Sequence, residues 1–236
     1  MKNKLREVLS VNNLKKSFIL HNQNSFELPV FNNISFSLSK GECLVLSGSS
    51  GTGKSTLLRS IYGNYLTHLG EINIYHNHSW INLVGAPPHL ILDVRKQTLG
   101  YVSQFLRVIP RISTLDLVAE PLLSRGETEV NSINRAKDIL KKLAIPENLW
   151  NLPPATFSGG EQQRVNIAIT FVRDFPILLL DEPTASLDTK NKQAVIDLIK
   201  NAKDNGTAII GIFHDESVRD SVGTTIFNIE EAKKAA

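Results

Sequence analysis

Cysteine, methionine and tryptophan are almost missing from this chain: one, one and two of them in 236 residues. A lone thiol, Cys43, excludes an intrachain disulfide. It stands in the apolar run Cys43-Leu-Val-Leu46, where a small buried hydrophobe fits better than a reactive nucleophile. No apolar stretch reaches about 18 residues, so no segment is expected to insert directly into a membrane. The basic start, Met1 to Arg6, has no apolar signal core behind it, and a cytoplasmic protein is expected. The formal net charge is only +3, which gives no strong attraction to nucleic acid or to a lipid surface. Internal repeats and low-complexity tracts are also missing. The rest is ordinary: 42% hydrophobic and 21% charged residues suit one soluble domain, or one domain carrying an inserted lobe.

Strand-like segments dominate the first part of the chain. Glu7–Leu14, Phe31–Leu38, Cys43–Ser47, Glu71–Tyr75 and Leu99–Val102 carry β-branched and apolar content. Lys40-Gly41-Glu42 reads as a turn, His21–Ser25 as a polar loop and Lys54–Gly63 as a helix. From Phe105 to Leu152 the pattern becomes helical, with Ile133, Ala136, Ile139, Leu140 and Leu143 at helical spacing and Pro146, Pro153 and Pro154 closing the stretch. Alternation then returns: strand Pro176–Asp181, helix Lys190–Asp204, strand Thr207–Phe213 and strand Thr224–Ile229. Strands that alternate with helices imply an α/β fold with a largely parallel sheet covered on both faces. The short tail after the last strand leaves no expectation of a C-terminal regulatory domain.

Two phosphate-handling motifs stand out. Gly48-Ser49-Ser50-Gly51-Thr52-Gly53-Lys54-Ser55-Thr56 is a P-loop, with an apolar strand before it and a helix after it. Its glycines let backbone N–H groups wrap phosphates. Lys54 would neutralise the β- and γ-phosphates, and Ser55 would ligate Mg²⁺. The apolar run Ile177-Leu-Leu-Leu-Asp181-Glu182 delivers two carboxylates to the end of a strand. Asp181 would hold the metal, and Glu182 would polarise an attacking water. The second motif, Ser158-Gly159-Gly160-Glu161-Gln162-Gln163, opens a helix running to about Val172. Ser158 is a good N-cap, and the glycines expose N-terminal amides, an anion site. An ordinary capped helix explains that spacing nearly as well.

In this order, the motifs resemble the ATP-binding cassette (ABC) ATPases over essentially the whole chain. The resemblance implies a P-loop NTPase fold in one domain over 1–236, with N-terminal antiparallel strands and a mostly parallel core (about 1–104 and 162–236). An inserted helical lobe would occupy about 105–161. It also implies roles for residues that would each pass as structural alone. Phe18 matches the adenine-stacking aromatic. Gln104 matches the glutamine that senses Mg²⁺ and water. Asp188 in Ser186-Leu187-Asp188 matches the loop that communicates between subunits, and His214 the histidine that contacts the γ-phosphate. Ser158, Gly159, Gly160 and Glu161 match the signature presented to ATP by a second ABC subunit, a copy or a paralogue, in a head-to-tail sandwich. Departures are few: Phe157 before the signature serine, Gln162-Gln163 after the glutamate, and Ile169-Thr170 in its helix, which puts an interlobe salt bridge in question.

A narrower resemblance lies in Trp80–Leu83, Thr98–Arg111, Ala119–Leu122 and Gly211–Glu216. Together these are similar to the L-subunit family of the phosphonate carbon–phosphorus lyase system. That implies action with the C–P lyase core subunits in phosphonate catabolism, at the step that makes a ribose methylphosphonate triphosphate. An exporter or lipoprotein-release ATPase is the alternative.

Overall fold

The computed structural model describes residues 7–20, 26–67, 69–104 and 111–234. The expected loop at His21–Ser25, and Phe105–Pro110 after Gln104, lie outside them. Two sheets form. The first is antiparallel, in the order β2-β1-β4-β5, from β1 (Glu7–Leu20), β2 (Phe26–Ser39), β4 (Leu69–His76) and β5 (Ser79–Asn82). The second is parallel throughout, in the order β6-β7-β8-β3-β9, from β3 (Cys43–Ser47), β6 (Leu99–Val102), β7 (Ile177–Asp181), β8 (Ala208–Ile212) and β9 (Thr225–Asn228).

The continuous apolar runs of β7 and β8 are buried along their whole length because both faces of the parallel sheet are covered. Alternate side chains enter different cores, as the strand period requires. Cys43, Val45, Leu178, Leu180 and Ile209 face one core, shared with Val118, Leu122, Ala136 and Leu140 of the helical segment. Leu44, Leu46, Ile177, Leu179 and Ile210 face the other, shared with Leu57, Leu58 and the antiparallel sheet through Leu9, Ile34 and Ile74. Cys43 is fully buried, and burial pushes its thiol up to about 12, so it acts as a core hydrophobe.

Helices α1 (Lys54–Ile61) and α2 (Pro88–Gln97) precede β6. Between β6 and α5 (Gly159–Phe171) come α3 (Thr114–Leu123), α4 (Glu129–Lys142) and two single turns of 3-10 helix, at Glu147–Leu149 and Pro154–Thr156. Ser113 caps α3 and Thr128 caps α4 through side-chain acceptors. The chain then runs through α6 (Thr189–Asp204), α7 (Glu216–Val222) and α8 (Ile229–Lys234).

The fold differs from the sequence-based expectation in its margins. Strands β1 and β2 each extend well past the expected segments because they pair with each other from Glu7↔Ser39 to Leu20↔Phe26, so backbone pairing carries through Lys15 and Lys16 where apolar content fails. Helix α2 was not expected, because Pro87-Pro88 reads as a breaker; Pro88 instead takes the first helical turn, where its missing N–H costs nothing. Helices α7 and α8 are too short for a periodic signal.

Candidate active site

The P-loop joins β3 to α1, and its path depends on glycine at both ends. Gly48 has φ 139°, and Gly53, the N-cap of α1, has φ 98°. A Cβ on Gly53 would lie 2.6 Å from Val30 Cγ1, so the loop can pass over β2 only there without a side chain. Lys54 folds back across the loop, and its Nζ donates to the carbonyl oxygens of Gly48 (2.7 Å) and Ser49 (2.8 Å). Thr52 Oγ1 donates to Ser49 O at 2.9 Å, and Ser60 Oγ donates to Thr56 O at 2.8 Å. Ser49, Ser50 and Gly51 are exposed. The C-terminal helix reaches this loop: Glu230 accepts from Ser49 N (2.8 Å) and from the Ser49 hydroxyl, and Lys233 Nζ donates to Thr52 O (2.9 Å).

Strands β7 and β8 bring the remaining groups to the same end of the sheet. Asp181, 0% exposed, accepts from Ser55 Oγ at 2.8 Å on one oxygen and from Tyr101 OH at 2.9 Å on the other. Glu182 takes a left-handed backbone, φ 54°, which costs a non-glycine residue about 1–3 kcal/mol and clusters at functional sites. Glu182 N still makes the last ladder bond to β8, donating to Ile212 O at 3.2 Å, and the carboxylate reaches two partners. Gln104 Nε2 donates to Glu182 Oε2 at 3.1 Å, and His214 Nε2 lies 2.7 Å from Glu182 Oε1. Glu182 is largely shielded (16% exposed) while His214 faces solvent (61%). The structure therefore brings together Lys54, Ser55, Asp181, Glu182, Gln104 and His214 as one constellation.

Ser158 to Glu161 form a complete capping box on α5. Ser158 Oγ accepts from Glu161 N (3.4 Å), while Glu161 Oε2 accepts from Ser158 N (2.9 Å) and Ser158 Oγ (2.7 Å). Such a cap contributes about 1 kcal/mol. The Ser158 hydroxyl bonds and its backbone amide hold the Glu161 carboxyl below the usual range. A Cβ on Gly159 would meet open space, whereas one on Gly160 would lie 3.0 Å from Ser186 O, so the signature end is seated on the loop that carries Asp188. Asp188 itself caps α6, accepting from Asn191 N at 2.8 Å. Two side chains of α5 tie the helix to the end of the sheet that carries Asp181 and Glu182: Gln163 Nε2 donates to Pro183 O (3.3 Å) and Asn166 Nδ2 to Ser103 O (2.7 Å). Thr170, at a departure from the resembled pattern, donates to Tyr101 O at 3.3 Å.

Phe18 is half-buried on β1. It meets Tyr65 edge-on with centroids 5.3 Å apart, and Lys16 Nζ lies 4.6 Å over its ring. Tyr65, Arg59 and Tyr101 were not expected as site residues. A tyrosine in an apolar strand reads as core, and only its register on β6, opposite Leu179 of β7, places it beside Asp181.

His214 is followed by Asp215, which accepts from Lys192 Nζ of α6 at 2.7 Å and from Ser217. The Lys192 ammonium first, and the Ser217 hydroxyl second, hold the Asp215 carboxyl well below the usual carboxylate range. A lowered carboxylate contributes stability that is fully present above its unfolded pKa, about 3.9, and is lost as pH falls through the folded value. Acid unfolding followed by circular dichroism should therefore steepen below about pH 4, and Lys192→Met should flatten that slope. An identical slope in the variant would remove the pair from the pH dependence.

Fold and loop chemistry together define a P-loop nucleotide-binding α/β protein. A family model described as ABC transporter matches residues 31–185, and the chain belongs to that family. Among curated relatives, it is 35% identical over 214 residues to the uncharacterized ABC transporter ATP-binding protein YbbA of Escherichia coli K12, covering 88% of each chain. It is 33% identical to the arginine transport ATP-binding protein ArtP of Haemophilus influenzae, covering 85% of this chain and 82% of that one. Among solved structures, the dimeric bacterial ABC transporter cassette MJ0796 superposes with a TM-score of 0.85 at 27% identity, covering 94% of both chains. The same cassette in a dimeric post-hydrolysis state, bound to ADP and Pi, superposes with a TM-score of 0.84.

Proposed function

We propose that this chain binds Mg²⁺-ATP and hydrolyses it at the joint of a head-to-tail dimer. The observation that carries this is the cluster of Lys54, Ser55, Asp181, Glu182, Gln104 and His214 at the ends of neighbouring strands. Lys54 would leave the Gly48 and Ser49 carbonyls for the phosphates. Glu182, held by Gln104 and His214, would accept the proton of the attacking water. Phe18 would take the adenine face, and Ser158 with Gly159 and Gly160 would face the ATP of the other subunit, beyond which Asp188 lies at the interface.

The donor set fits Mg²⁺. Ser55 and Asp181 supply hard oxygens, and among the described residues no group of three or more His, Cys, Asp or Glu could hold a metal alone, so phosphate oxygens and water must complete the shell. Mg²⁺ bound there would neutralise charge on the transferring phosphoryl group. The dimeric post-hydrolysis state of the cassette MJ0796, bound to ADP and Pi, supports hydrolysis and a second ATPase subunit.

For the process driven, we propose action with the C–P lyase core subunits in phosphonate catabolism, supported by the resemblance of Trp80–Leu83, Thr98–Arg111, Ala119–Leu122 and Gly211–Glu216. The names of YbbA and ArtP favour a second reading, the ATPase of a membrane transporter. Among the described residues no helix is long and apolar enough to cross a membrane, so in either case the chain would work through partners. Affinity purification of the native protein separates the two. Recovery with soluble phosphonate-cleaving subunits is expected, and recovery only with an integral membrane permease would overturn it.

A further inference from the structure

We propose that Tyr101 is a positioning residue for Asp181, with Arg59 behind it, and that the pair sets how much Mg²⁺ tightens nucleotide binding. The inference rests on the nucleotide-site reading above and concerns only its metal-dependent part. Asp181 is fully buried, and among the described residues each of its oxygens accepts one hydrogen bond, from Ser55 on one and from Tyr101 on the other. A buried carboxylate needs such partners to stay charged and to keep one orientation. Ser55 cannot do this alone. A single hydrogen bond fixes only one carboxylate oxygen, and the Ser55 oxygen is also the group that would face the cation. Tyr101 fixes the second oxygen.

The tyrosine is itself held. Its ring stacks on Tyr62 with centroids 4.9 Å apart and 25° between planes, and Arg95 lies 4.6 Å over Tyr62. Its hydroxyl, on the ring edge, donates to Asp181 Oδ2 at 2.9 Å. Arg59, on α1, lies 4.0 Å from the same Asp181 oxygen and donates from its other nitrogen to Tyr65 OH at 3.1 Å. Tyr65 is the residue whose ring meets Phe18. One guanidinium thus stands between the metal-facing carboxylate and the aromatic that would take the adenine.

Tyr101→Phe keeps the ring and its stacking and removes only the donor. ATP affinity measured with Mg²⁺ and with EDTA should show the loss in the Mg²⁺-dependent tightening, reduced about three- to tenfold, with the EDTA value nearly the same. In an Asp181→Asn background the same substitution should have little further effect, because the group it positions is gone. Equal loss with and without Mg²⁺, or equal loss in both backgrounds, would mean general packing and overturn the proposal. So would an unaltered Mg²⁺ increment. Arg59→Gln, on the half-exposed side of the network, should lower the increment in the same direction and serves if the tyrosine variant does not fold. Failure of the parent protein to bind ATP at all is a different result, and would overturn the nucleotide site itself.

Discussion

Glu182→Gln is expected to lower ATP hydrolysis by about 10²- to 10⁴-fold, the range lost with a positioned general base. The amide has nearly the shape of the carboxylate, so the contacts to Gln104 and His214 can persist, and the left-handed backbone at residue 182 is the same for both. What disappears is the basicity. Because binding groups are left in place, ATP should remain trapped between two subunits, and light scattering with Mg²⁺-ATP should show a dimer that the parent protein populates only transiently. Phosphate release at the parental rate would place the base elsewhere. Monomer alone under these conditions would rule out the homodimer and leave a paralogous partner subunit.

Lys54→Ala should weaken Mg²⁺-ATP binding by about 10- to 100-fold, the value of one charge-assisted contact. Two losses combine. The phosphates lose a cation, and the loop loses the brace that Lys54 Nζ provides to the Gly48 and Ser49 carbonyls. Lys54 is only half-buried and belongs to neither core, so the thermal midpoint without nucleotide should move little. Calorimetric titration checks the affinity. An unchanged value would detach the P-loop from nucleotide binding.

Much of this site was legible in the residues because its chemistry is local. A P-loop is a run of adjacent residues whose glycines are required by backbone geometry, as Gly53 shows against Val30. The Ser158–Glu161 cap is likewise contained in one turn of helix. The Asp181-Glu182 pair could be placed at a strand end from the apolar run before it. Residues whose part depends on register were not legible. Tyr101 reaches Asp181 only because β6 lies beside β7, and Glu230 reaches Ser49 only because α8 returns to the P-loop. Helix α2 was hidden for another reason, since proline at a helix start and proline in a loop look alike in one dimension.

The order of the parallel sheet has one more consequence. The P-loop leaves β3 and the two carboxylates leave β7, but these strands are not neighbours; β8 lies between them and pairs with both, Val45↔Gly211 on one side and Asp181↔Ile212 on the other. The strand that separates the P-loop from Asp181 and Glu182 also carries His214 just beyond its exit. Both strands that carry the site hang from one central, fully buried strand, so loss of β8 would release both together. A substitution that disrupts β8 is therefore expected to disturb the P-loop and the Asp181-Glu182 pair together rather than one of them alone.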